Sequence, residues 1–423
     1  MSLAVLELND QLLLIQAEGA ELCTESGFAR LTPGGIETGE PARASAWREP
    51  QHSYNQYWNQ LNQTPLAARQ AWARHHADIA FAQLKNLWMA AGSPDSLILL
   101  VPASFNDTQL SLLLGLAGAL PAKIHAVIDN ALAACVNTRQ NTLFVDMQMH
   151  QSVVSLCKPD GEEMRIADQE VFPDLGLMQI YNSVARHISR LLVESNRYDP
   201  LHASDSEQAV FDDIPAWLAR LRFENELAAT VESDHGELAF ILRNDDVTRL
   251  IGERLGNVRS FLNRHSDFQI ILSDSSAILA GLSKEFATAK ICGQSAAIDY
   301  CHSNSLLMTD RKEGLVRIQS LHCGEQLAET ETTEENIATH VLYRNQAMPL
   351  NHPLSIRING QGLLLENAID KQAALTVVIK NKLLEAVFSA PDLDISIPKN
   401  CRPGESITIG EHQLRLISVQ HEV

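Results

Sequence analysis

Residues 97–101 (LILLV) form an unbroken apolar run that ends at Pro102. A run this short, with no polar alternation, predicts a strand buried on both faces. Asn106-Asp107-Thr108 then supplies N-cap chemistry for a helix reaching about residue 120, which Pro121 stops. Residues 124–128 predict a second short strand, and Asn130 opens an Ala-rich helix. Strand, helix, strand and helix within residues 97–136 make an α/β unit built on a parallel sheet. That constraint governs what the rest of the chain can form around it.

The chain has 423 residues, 45% of them hydrophobic, which is enough for two or three domains with real cores. Its formal net charge of −19 argues against nucleic-acid binding, because no Lys/Arg-rich stripe offsets the repulsion from a phosphate backbone. Acid is concentrated at 325–335 (EQLAETETTEE), which reads as a solvated loop or helix face. No stretch approaches the roughly 20 apolar residues of a membrane span, so no membrane insertion is expected. The N-terminus carries Glu7 and Asp10 inside its apolar run and is not read as a signal peptide. The seven cysteines show no CxxC spacing, which points to reduced thiols and a cytoplasmic setting. Cys301-His302 and His322-Cys323 lack the within-pair spacing of a zinc knuckle.

In chain order, residues 3–8 and 12–17 predict two apolar strands around Asn9-Asp10. Residues 56–89 have helical periodicity, with Trp72, His76, Ile79, Ala80, Gln83 and Leu87 on one core-facing side. A second hairpin is expected over 141–145 and 152–156, a turn at Lys158-Pro159-Asp160-Gly161, and a strand over 166–171. Helices are predicted over 177–194 and 204–222. A hairpin over 224–242 should turn at Asp234-His235-Gly236, and Asn244-Asp245-Asp246 should cap one long helix to about 262. Residues 268–272 read as a buried strand, 275–286 as a helix and 293–300 as a short helix. From about 306 onward, strand-like runs alternate with turn signals such as Asn359-Gly360 and Arg402-Pro403-Gly404, which predicts a small, mostly β domain.

The wording of several segments resembles a known family. VPASFND at 101–107 and IDNALAACV at 128–136 resemble the ATPase domain of DnaK-type heat-shock chaperones, within the actin-like ATPase superfamily. RLRFENELAAT at 220–230 and VTRLIGERLGNVRSFL at 247–262 are similar to the outer subdomain of that family's second lobe. GQSAAIDY at 293–300 is similar to its closing Gly-Ala-Ala helix. The resemblance runs from about residue 3 to 302. It implies an α/β fold of two ribonuclease-H-like lobes, each opened by a β-hairpin, with ATP in the cleft between them. On that reading residues 1–140 are lobe I and 141–305 lobe II, with an outer subdomain at about 224–262. Residues 306–353 are an acidic connector with first strands, and 354–423 a small β domain.

The same resemblance implies which residues would face nucleotide. Where the family reads Asp-Leu-Gly-Thr-Thr, this chain has Glu7, Leu8, Asn9, Asp10 and Gln11. Where it reads Asp-Leu-Gly-Gly-Gly-Thr, the chain has Asp146, Met147, Gln148, Met149, His150 and Gln151. The adenosine-binding Gly-Gly-Ser is replaced by Ser273, Asp274 and Ser275. Glycine lets backbone N–H groups approach phosphate because it has no Cβ, and those glycines are gone. Asp10 and Asp274 add negative charge where an anion should sit, and like charges about 4 Å apart cost ~1 kcal/mol in water and several times more in a partly buried cleft. The vestigial cleft is thus Glu7, Asn9, Asp10, Asp146, Gln148, His150, Ser273 and Asp274. No catalytic residue and no cofactor is expected, and Asp146 would serve Mg²⁺ only if Mg–ATP bound.

Other chemistry has weaker support. Asp146 with His150 invites an acid/base reading, set against a plain turn-capping Asp. Cys135 reads as a buried small hydrophobe. Ser275-Ser276 lacks a GxSxG elbow and reads as a cap for the following helix. The leading expectation is a non-catalytic, DnaK-like scaffold or interaction module with protein partners. Its alternatives are a divergent ATP-binding chaperone in which Asp146 and Glu7 still organise Mg²⁺–ATP, and an assembly component like the actin-like bacterial proteins. VLYRNQAMPLNHPLSIRI at 341–358 is similar to the family's passage into its peptide-binding domain. The sheet edges beyond it suit either uptake of an extended segment or a plain β appendage, and the segment is too short for that family's full β domain and lid.

Overall fold

The apolar run 97–101 lies in the strand Ser96–Val101, and every residue of that strand is buried. Parallel neighbours flank it on both sides, Leu3–Glu7 and Lys123–Asp129. A computed structural model of the chain describes residues 2–70, 72–233, 236–309, 317–323, 338–344, 346–350, 353–359, 362–367, 370, 373–380, 383–390, 393, 395–398, 401, 405–410 and 412–417. The fold is mixed α/β, and the chain divides into two compact units, Met1–Gly324 and Glu325–Val423.

Two six-stranded sheets organise the first unit, and they follow one plan. In the first, an antiparallel meander of Leu3–Glu7, Leu12–Ala17 and Cys23–Ser26 continues through Ser96–Val101 and Lys123–Asp129, both parallel to Leu3–Glu7. In the second, Thr142–Met147, Ser152–Asp160 and Glu163–Phe172 make the meander, and Gln269–Leu272 and Lys290–Ile291 extend it in parallel. Alternation along each strand divides the side chains between layers. Leu97, Leu99 and Val101 pack against the helices His76–Ala90 and Asp107–Ala117. Ile98 and Leu100 face the other way, into a core shared with Phe144, Cys157 and Ile271 of the second sheet. The short helices Asn130–Cys135 and Ala296–Ser303 contribute Ala131, Leu132, Cys135 and Ile298 to that middle core. The far face of the second sheet packs on Leu177–Asn196 and Ser204–Leu221 through Val145, Val154, Ile188 and Leu218. The layers therefore run helix, sheet, helix, sheet, helix. Each such Leu or Val side chain contributes about 1.5–3 kcal/mol by burial.

The helix after residue 101 starts as its sequence predicts. Asn106 Oδ1 accepts from Gln109 N–H at 2.9 Å, and Gln109 Oε1 accepts from Asn106 N–H at 3.2 Å, a reciprocal capping box. Asn106→Ala is expected to cost about 1 kcal/mol in urea unfolding; an unchanged midpoint would count against this cap.

Four elements differ from expectation. The helix expected over 56–89 is confined to His76–Ala90, with Pro65–Gln70 pairing Ala73–His75 ahead of it. Pro65 interrupts the periodic run, and the Asp78 carboxylate accepts from the N–H groups of Arg74 and His75, fixing a later start. Trp72 is accordingly exposed. The long helix from 244 is two helices, Asn244–Gly252 and Gly256–Arg264, broken between two glycines; Asn244 Nδ2 donates to the Leu221 carbonyl instead of capping. The helix expected over 275–286 is two 3-10 turns, Asp274–Leu279 and Lys284–Phe286. The turn expected at 158–161 is tighter, because the strand runs on to Asp160, which pairs with Glu163.

The boundary expected at 306 also moves. Arg317–Ile318 adds a parallel strand beside Lys123–Asp129, and Ser320–His322 adds an antiparallel strand beside Glu163–Phe172. Both belong to the first unit's sheets, so one short segment ends both of them. Strands of two and three residues carry no pattern that names a distant partner. In the second unit, a five-stranded and a four-stranded antiparallel sheet enclose a core that includes Val341, Ile356, Leu375 and Leu414. The acidic stretch 325–335 and the turns at Asp234-His235, Gly360 and Arg402-Pro403-Gly404 lie outside the described residues.

Candidate functional site

Two hairpin turns, one from each sheet of the first unit, meet at residues 8–11 and 148–151. Asp146 is the last but one residue of Thr142–Met147 and is buried. Asn9 Nδ2 donates to Asp146 Oδ1 at 2.9 Å, so the first hairpin is hydrogen-bonded directly to the second. Asn130 Nδ2 and Gln148 Nε2 donate to Asp146 Oδ2 at 3.3 and 3.4 Å. Asp10 Oδ1 accepts from Met149 N–H at 2.6 Å, a second direct bond between the turns.

The backbone of the second turn is satisfied by protein as well. Gln148 and Met149 carbonyls accept from the Leu177 and Met178 N–H groups at 3.0 and 2.9 Å, at the start of the Leu177–Asn196 helix. A helix N-terminus attracts anions through such free N–H groups, and here two of them are committed to the turn. Close backing holds both turns in place. A Cβ on Gly27 would collide with the Asp10 carbonyl, and one on Gly176 would collide with the His150–Gln151 peptide. Met147 and Met149 are buried.

Burial and like charge set the electrostatics. Burial raises the Glu7 carboxyl to about 8, assisted by Asp146 and opposed by a hydrogen bond from Asn130. It raises Asp10 to about 7, opposed by the Met149 N–H and assisted by Asp146. Asp146 is also raised by burial, against the pull of its amide and Ser273 donors. Glu7 keeps a partly exposed stem, but its Oε2, like Asp10 Oδ2, is shielded and accepts no hydrogen bond. Such positions suit neutral acids better than anions. Among the described residues, no group of three or more His, Cys, Asp or Glu side chains is arranged to hold a metal ion.

The remaining expected positions divide. Ser273 joins the network, with its Oγ 2.9 Å from Ser275 Oγ and 2.8 Å from Ser276 Oγ. Asp274 is exposed and borders a cavity of about 50 Å³ beside Glu7, Asn9 and Asp146. His150 turns away, its Nε2 3.0 Å from the Asn55 carbonyl, and burial lowers its pKa. No bond joins it to Asp146, so the acid/base pair is not assembled. Ser273, rather than Ser275 or Ser276, caps the following turn. Ser276 Oγ instead accepts from Met147 N–H at 2.6 Å and donates to the Val145 carbonyl at 2.9 Å. Asn130, which the sequence marks only as a helix start, is a third amide on Asp146. Its place directly after Asp129 at the end of a strand is the signal that could have found it.

No protein-family model matches this chain, and no curated protein matches it.

Proposed function

We propose that this chain is a degenerate DnaK-like protein of the two-lobed actin-like type, a pseudo-ATPase that works as a scaffold or interaction module for protein partners. The observation that carries the reading is the pair of turns joined through Asn9–Asp146 and Asp10–Met149. In the family it resembles, the matching turns face ATP phosphates with glycine backbone. Here the Asn9, Asn130 and Gln148 amides and the Asp10 carboxyl occupy that gap. The remaining 50 Å³ compares with the roughly 300–1,000 Å³ of small-molecule sites. The repeated sheet plan and the five-layer stacking support the two-lobed assignment. The retained α/β framework and the separate β unit support a role in binding rather than chemistry.

The test is turnover together with partner recovery. Purified full-length chain with Mg–ATP is expected to release phosphate no faster than buffer. Affinity purification at native expression level is expected to return the same protein partner in repeated experiments. Phosphate release that depends on Asp146 contradicts the pseudo-ATPase reading, and repeated recovery of no partner contradicts the scaffold reading.

A further inference from the structure

A second cavity lies in the first unit, bordering the two turns at Gln11 and Met149, with a volume of about 340 Å³. Four aromatic side chains line it: Phe28, Trp47, Tyr181 and Phe211. Trp47 stacks on Phe211 with centroids 4.2 Å apart, and Phe28 lies 5.9 Å from Trp47. The segment bearing Trp47 is fixed in place by Gln208, whose Oε1 accepts from Trp47 N–H and whose Nε2 donates to the Arg43 carbonyl, both at 3.0 Å. The arrangement is therefore built, not a loose surface fold.

Its polar groups favour one sign of charge. Arg43, the only Lys or Arg among the described residues that line the cavity, is bonded to Glu40 at 2.8 Å and to Asp212 at 3.0 Å. The three charges sum to −1, so the guanidinium is already neutralised. Asp213, next along the helix, is raised by burial and by Asp212, as expected where acid is in excess. Aromatic faces carry negative quadrupole and attract cations in desolvated sites.

We propose that this cavity binds a small organic cation, an ammonium head on an aromatic or apolar body, held by the aromatic walls and the Glu40/Asp212 carboxylates. The same chemistry is available from a free aryl-alkyl amine or from a basic, aromatic segment of a partner. Gln11 and Met149 of the two turns also line the cavity, but the proposal rests on the aromatic walls and on Glu40 and Asp212, none of which bonds to the Asp146 carboxylate.

The test titrates the full chain with phenethylammonium, 2-phenylethanol and phenylacetate, read by saturation-transfer NMR and tryptophan fluorescence. Phenethylammonium is expected to bind at least tenfold more tightly than phenylacetate, with the alcohol between them. Asp212→Asn and, separately, the exposed Glu40→Gln should each remove most of that preference. Trp47→Phe should remove the fluorescence response. Acetyl-Lys-Phe-amide binding more tightly than the free amine assigns the site to a partner segment, and weaker binding assigns it to a free amine. Equal affinities, tighter phenylacetate, no binding by any of the three, or an unchanged preference in both carboxylate variants overturns the proposal.

Discussion

Arg317→Ala is expected to destabilise the first unit by about 3–5 kcal/mol, the cost of leaving a buried charge without its partner. Asp129 is buried, and the Arg317 guanidinium reaches it at 2.5 Å while donating to the Phe105 and Ala103 carbonyls at 2.8 and 2.9 Å. Removing the guanidinium strands a carboxylate and two backbone acceptors together. It also frees the Arg317–Ile318 strand, the segment that ends the first sheet. Urea unfolding read by tryptophan fluorescence measures this cleanly, because all five tryptophans lie between residues 47 and 217. The double variant Asp129→Leu with Arg317→Leu should lose less than the single variant, since it leaves no unpaired charge. A single-variant loss below about 1 kcal/mol, the value of a surface pair, would contradict the buried-pair account.

The second large effect is on pH dependence. Asp10 and Glu7 titrate at about 7 and 8 in the folded chain, against ordinary values of 3.8 and 4.5. Between those limits the folded chain holds protons that the unfolded chain releases, so stability falls as pH rises. The loss starts near pH 4, is complete near pH 8, and has a slope of about 1.4 kcal/mol per pH unit for each group. Asn is the isostere of a protonated Asp. Asp10→Asn should therefore lower that slope by roughly one group's share between about pH 4 and 7 and make the variant the more stable protein at pH 8. Parallel pH profiles for the wild type and Asp10→Asn would mean that Asp10 is ionised throughout.

Much of this arrangement is legible in the sequence, for identifiable reasons. An all-apolar run followed by cap residues admits few structures, and both the Ser96–Val101 strand and the Asn106 capping box follow from it. That neither turn offers glycine, at residue 9 or at 148–150, is equally readable, because close backbone approach depends on a missing Cβ. Which side chains meet between the two turns is not readable. The Asn9, Asn130 and Gln148 amides converge on one carboxylate only once the two sheets are placed side by side. Periodicity misled at 56–89, where Pro65 and Asp78 outweigh the apolar pattern. A strand is readable at 315–318, but it reads as part of the C-terminal β domain, because nothing in so short a run names its partner strand or shows that the Arg317 side chain reaches Asp129, nearly two hundred residues earlier. The aromatic cavity was invisible for the same reason, since Phe28, Trp47, Tyr181 and Phe211 come from four separate elements.

Protein groups standing where nucleotide would stand is the centre of the account, and calorimetric titration of the full chain with Mg–ATP near pH 7 tests it most directly. The account predicts no saturable heat up to millimolar nucleotide, because binding would have to break the Asn9–Asp146 and Asp10–Met149 bonds and bring phosphate against Asp10. Saturable binding in the micromolar range, lost on Asp146→Ala, would contradict it.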